Sequence, residues 1–253
     1  MKFDNGLFIV TAVAVLCAGC EICNQVFDNA PGADKPLMES SAPVRKARMQ
    51  AHPDSRNWKP LFAWDLSDAE YKKGVWSIND QGDLTATEDS AIWTKRKCKN
   101  FILDFEYKLD PKANSGCVIY CSDRNNWIPG SIEVQLLDDN DEHWKKEPPH
   151  SKNGGLYGHY APLVNNVKPA GEWNRMTIWA FGKRIRVAVN GELTVDADLS
   201  AWKDGKNNPD GSKIPSWLPV PWNQIVPEGY IGFQGKHGGA CPYFRFIRIK
   251  EWN

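Results

Sequence analysis

From Trp58 onward, apolar residues recur at every second position. Phe101, Leu103, Phe105 and Tyr107 alternate with Ile102, Asp104, Glu106 and Lys108, and Ile132, Val134 and Leu136 alternate with Glu133 and Gln135. Met176 and Ile178 continue the pattern, as do Ile185, Val187 and Val189, which run into Asn190-Gly191 before Leu193 and Val195 resume the phase. An Asn-Gly pair between two alternating runs is a strong local signal for a hairpin. Two more strands are predicted around residues 230–234 and 244–250, the second with a change of phase between Phe246 and Ile247 that predicts a bulge. No stretch long enough for a helix carries a 3.6-residue period. Short strands separated by turn signals predict an all-β domain over residues 57–253 with two antiparallel sheets packed as a sandwich. Residues 138–167 and 202–227 are too long for simple turns, and long ordered connections in a compact domain usually form functional rims.

The chain before this domain reads differently. Residues 7–18 are uncharged and would span only ~18 Å as a helix, short of a ~30 Å bilayer core. They follow Lys2 and end in Ala18-Gly19-Cys20, which predicts a signal peptide over residues 1–19. The Ala-Gly-Cys end resembles a bacterial lipobox and implies lipidation at Cys20; an ordinary secretory signal cut nearby is the alternative. Residues 20–56 hold Pro31, Pro36, Pro43 and Pro53 without apolar periodicity and read as a tether. The expectation is an exported bacterial protein of the periplasm or outer membrane, touching membrane only through a lipid at Cys20. In such a compartment four of Cys23, Cys98, Cys117, Cys121 and Cys241 could pair, although Cys117 and Cys121, four apart on one strand, would be ~13 Å apart and could not join each other.

Charge narrows the function classes. The 253 residues carry 31 Lys+Arg against 31 Asp+Glu, a formal net charge of zero, which argues against a nucleic-acid partner. Twelve tryptophans instead fit a carbohydrate-facing surface, although large cores also use Trp. If the apolar side of residues 132–136 faces the core, Glu133 and Gln135 stand together on the opposite side. Any half-exposed strand shows polar residues outward, so this alone does not establish a site.

Several motifs occur in a fixed order: Asn114-Ser115-Gly116; Glu133-x-Gln135-x-x-Asp138; Gly155-Leu156-Tyr157-Gly158; Lys168-Pro169-Ala170-Gly171-Glu172-Trp173-Asn174; the Asn190-Gly191 hairpin; and Gly232-Phe233-Gln234, His237 and Phe244-Arg245-Phe246-Ile247-Arg248-Ile249-Lys250 at the end. Together they resemble the bacterial 3-keto-disaccharide hydrolase family over roughly residues 58–252. The resemblance implies a concanavalin A-like, glucanase-like jelly roll and cleavage of 3-keto glycosides.

The chemistry of that activity defines what a site must supply. A ketone at sugar C3 acidifies the C2 hydrogen; a base removes it, the C1–O bond breaks by elimination, and water adds to C1. Such a site needs a base, a donor or divalent metal ion at the enolate oxygen, and walls that orient the ring. Glu133, as base or metal ligand, His237, as base, and Tyr157, as ring wall or proton donor, are the candidate catalytic residues. Gln135, Gln234, Arg124, Lys168 and Asp138 are candidates for binding the 3-keto sugar. The acidic run 138–142 lacks the ligand set and turn glycine of a calcium loop. Trp173 is expected in the core. Two alternatives share the fold: a sugar-binding module without catalysis, and a glucanase. The glucanase is disfavoured because Gln135 and Asp138 stand where that strand needs Asp and Glu.

Overall fold

The structure, a computed structural model, describes residues 53–252. The predicted signal peptide, Cys20, Cys23 and most of the predicted tether lie outside the described residues. Among the described residues thirteen strands form: β1 (Lys59–Pro60), β2 (Ala69–Glu70), β3 (Trp76–Ile78), β4 (Leu84–Ala86), β5 (Ile92–Thr94), β6 (Asn100–Leu109) and β7 (Asn114–Cys121). They continue with β8 (Ile132–Leu137), β9 (Asn174–Phe181), β10 (Arg184–Val189), β11 (Glu192–Asp198), β12 (Tyr230–Phe233) and β13 (Pro242–Trp252), joined by loops that hold only short 3-10 turns. The larger sheet runs β11-β10-β9-β6-β13-β4-β3 with β1 against β13; the smaller runs β2-β5-β12-β7-β8. The alternating apolar residues meet between the two sheets, with Phe105, Phe233 and Phe244 packed edge-to-face or tilted at 4.4–6.1 Å between ring centroids. The two-sheet sandwich predicted from the period of two is the observed architecture.

Local signals act as their chemistry requires. Asn190 and Gly191 adopt φ of 49° and 86° between β10 and β11, the pair of positive values a tight hairpin turn needs. The bulge in β13 falls between Arg245 and Arg248, where Phe246 takes φ 52° and turns outward.

The outer side of the larger sheet departs from simple alternation. Asp104 is buried there, held by Arg175 at 2.6 Å, by the Thr177 hydroxyl at 2.7 Å and by Ser55. Arg175 also donates to the Pro53 carbonyl at 2.8 Å. The last residues of the stretch read as tether are therefore pinned to the sheet by a half-buried ion pair.

Two expectations change. Trp173 is only partly buried, on the outer side of the larger sheet, with Arg245 3.9 Å over its ring and Lys108 5.0 Å away. The cysteines Cys98, Cys117, Cys121 and Cys241 are all free. A register shift in β7, with Tyr120 at φ 54°, sends Cys117 into the main core and Cys121 to the opposite face, so the two point apart.

Candidate functional site

The outer face of the smaller sheet carries the candidate site. Cross-strand register places Glu133, Val118, Gly232 and Trp93 in one row across β8, β7, β12 and β5. Gln135 and Gly116 begin the next row, which Gln234 joins by donating its backbone N–H to the Gly116 carbonyl. Two glycines clear space on this floor. A Cβ at Gly116 would lie 2.0 Å from Glu133 Oε1, and one at Gly232 would lie 2.3 Å from the Trp93 ring. The carboxylate and the indole thus lie flat over bare backbone. Trp93, Val118 and Cys121 form a second apolar cluster, separate from the main core, against which Trp127 and Tyr230 pack.

Above this floor is a groove of about 540 Å³, with Trp93, Trp127, Arg124, Gln234 and His237 among its walls. That volume lies in the range of sites for small molecules. Trp127 and Ile128 also bound a recess of about 10 Å³ that contains Glu133, Tyr157, His159, Ser131, Leu218 and Trp222. The two spaces share a wall.

Glu133 is partly open to solvent yet closely surrounded by protein. Desolvation, with a smaller contribution from the Asp89 charge, pushes its carboxyl up to about 8. Tyr157 is half-buried in the recess; burial and the neighbouring Glu133 raise its phenol, and the Trp217 indole hydrogen-bonds to it. His237 stands on the groove wall with Nδ1 2.8 Å from Asp89 Oδ2. A carboxylate on one ring nitrogen orients the imidazole and leaves Nε2 for chemistry.

Other expected residues sit differently. Gln135 is sealed, because the backbone of Gly154 and Gly155 pairs along the β8 edge and its own side-chain oxygen accepts from Leu136 N. Lys168 donates to the Trp173 carbonyl and pins the turn entering β9 in the other sheet, so it is an anchor rather than a groove residue. Asp138 closes the end of β8 by accepting from the backbone N–H groups of Lys112 and Asn140. Arg124 does face the groove, but its guanidinium is already engaged by Glu70 at 2.8 Å, the Thr94 carbonyl and the Tyr230 ring at 4.2 Å. Among the described residues no three His, Cys, Asp or Glu side chains converge to hold a metal ion.

The two long connections close the recess end. Trp202 Nε1 donates to Asn208 Oδ1 at 2.8 Å, and Asn208 Nδ2 reaches the Gly158 carbonyl at 3.1 Å. His150 meets both Ser212 and Asp210, at 3.1 and 3.2 Å, through the same nitrogen, Nε2. A catalytic relay needs its carboxylate on the other nitrogen, so this trio is a clamp. Asn208→Ala strands an indole N–H and a carbonyl, which should cost about 1–3 kcal/mol. Its expected signature is a lower melting temperature and faster amide exchange in both connections, with the sheets protected as before.

Sequence reasoning missed Asp89, Trp93, Trp127 and His159. Asp89 and the two tryptophans carry no motif and are assembled only by strand pairing. His159 directly follows Gly155-Leu156-Tyr157-Gly158, and that adjacency was the available signal.

The chain has known relatives. A curated 3-keto-disaccharide hydrolase of Bacteroides thetaiotaomicron is 29% identical over 175 residues, 61% of this chain and 59% of that protein. The match therefore spans about three-fifths of the relative's length. A crystal structure from Parabacteroides distasonis, named provisionally as a glycosyl hydrolase, is 46% identical with a TM-score of 0.75, covering 77% of this chain and 99% of that one. A second structure from the same organism, at 22% identity and a TM-score of 0.60 over 75% of this chain and 91% of that one, shares the fold. Residues 56–250 match the model of one described family over most of the chain, and the protein belongs to that family, the 3-keto-alpha-glucoside-1,2-lyase-like domain.

Proposed function

We propose that the protein cleaves 3-keto glycosides in the groove of the smaller sheet, by elimination across C1 and C2. The observation that carries this reading is Glu133: a carboxyl in the recess that adjoins the groove, able to keep its proton at neutral pH, with no second carboxylate beside it on β8. Hydrolysis through an oxocarbenium ion uses two spaced carboxylates. Elimination beside a ketone needs one base and one acid.

His237, oriented by Asp89, takes the C2 proton, and the C2–H electrons move onto the C3 oxygen. When the enolate collapses, the C1–O bond breaks and a C1=C2 double bond forms. The departing oxygen receives the proton of Glu133. This role differs from that of base, because a carboxyl that titrates near 8 is mostly protonated below that pH. Trp93 and Trp127 offer apolar faces to the sugar ring, and Gln234 offers an amide to its hydroxyls.

Substrate oxidation state tests the reading. The protein should release the aglycone from a 3-keto glycoside and leave the parent glycoside intact, as read by chromatography of the products. Cleavage of both substrates would support the glucanase, and binding without cleavage of either would support the sugar-binding module; both results reject the proposal.

A further inference from the structure

The recess beside Glu133 contains a group with no assigned role. His159 is 3% exposed, and its ring stacks on Trp222 at 3.7 Å between centroids with 16° between planes. Its Nδ1 lies 3.0 Å from the Tyr157 carbonyl. A carbonyl only accepts, so Nδ1 carries the hydrogen and Nε2 presents a lone pair. That Nε2 is buried and has no hydrogen-bond partner. Leaving such an atom unpaired costs roughly 1–3 kcal/mol, and native structures rarely retain one without a reason.

The dimensions of the recess suggest the reason. Its volume of about 10 Å³ is close to the minimum for one water molecule, and a buried water needs two to four polar partners. Glu133, Tyr157, Ser131 and His159 supply polar groups around it. The space is too small for a sugar. It lies beside the group assigned above to protonate the oxygen leaving C1, so a water in it is close to C1.

We propose that the recess seats the single water molecule that adds to C1 after elimination, with His159 as the general base that activates it. This inference rests on the elimination reading above. The water oxygen bonds to C1 of the unsaturated ketone while one of its protons passes to His159 Nε2. The C1=C2 electrons shift toward C3, forming an enolate, and C2 recovers a proton from the His237 imidazolium. The His159 imidazolium then returns its proton to the Glu133 carboxylate across the recess, and the sum is hydrolysis with every group restored. Burial supports this role by pushing the imidazole down to about 4, so Nε2 is unprotonated at neutral pH. His150 adds to the effect in the same direction.

The experiment compares wild type and His159→Phe on one 3-keto glycoside, with aglycone release and the hydrated and unsaturated sugars measured separately. The phenyl ring keeps the stack on Trp222 and lacks Nε2. Aglycone release should stay within about threefold of wild type, while the hydrated fraction falls at least tenfold and the conjugated ketone accumulates, visible by its ultraviolet absorbance. Leu218→Phe, which fills the recess from another wall, should shift the products the same way and serves as the test if His159→Phe does not fold. An unchanged product ratio overturns the inference, as does equal loss of both products in folded protein, or a wild type that releases only unsaturated sugar. A wild type inactive on every 3-keto glycoside would instead reject the elimination reading and this inference with it.

Discussion

Glu133→Gln should lower turnover of a 3-keto glycoside by about a thousandfold, within the 10²–10⁴ range usual for a lost acid–base group. The amide keeps the shape of the side chain and cannot give up a proton to the leaving oxygen. Stability should move the other way. The folded carboxyl titrates near 8, well above its ordinary value of 4.5, so the folded chain holds a proton that the unfolded chain releases. The stability contributed by this group is fully present below about pH 4.5, declines as pH rises through the window to about 8, and stays lost above it. Glutamine has no such dependence. The variant should therefore melt with wild type at about pH 4 and above it at about pH 9, as thermal scans across pH would show. Equal turnover in the variant would remove Glu133 from the chemistry.

Gly116→Ala should lower turnover by about a hundredfold without removing any functional group. The new methyl would occupy the place of Glu133 Oε1, with Cγ and Cδ at 2.7 Å, so the carboxylate must swing away. Displacement of a reacting group by about 1 Å is enough for a loss of this size. The atoms in conflict belong to the end of a flexible side chain rather than to backbone, so the stability cost should stay at or below the ~1–3 kcal/mol of ordinary overpacking. Kinetics and a melting curve on the same sample separate the two effects; a variant with normal turnover would show that the carboxylate position is not critical.

The fold was legible because it is written in a short-range code. A period of two, an Asn-Gly turn and a phase slip at Phe246 each depend on a few neighbouring residues, and each appears where expected. The candidate site was legible only in part. Glu133 follows from alternation on a single strand. The sealing of Gln135 depends on the distant Gly154-Gly155 backbone, and the partner of His237 comes from Asp89, 148 residues earlier. Lys168 and Asp138 belong to motifs whose function is to hold turns, and a motif does not say whether its polar atoms face a ligand or the chain itself. The cysteines could not be resolved from spacing, because one bulge at Tyr120 decides which side Cys121 takes.

The apolar cluster of Trp93, Val118 and Cys121 lies apart from the interior that joins the two sheets. Trp93 reaches the groove, with Val118 and Cys121 sealed beneath it, so a substitution at Trp93 reshapes the wall that meets a ligand without entering the packing between the sheets. Such a scaffold can diversify its specificity over evolution at little risk to folding, and a library at the groove-lining Trp93 and Trp127 is the natural starting point for redirecting it to other sugars.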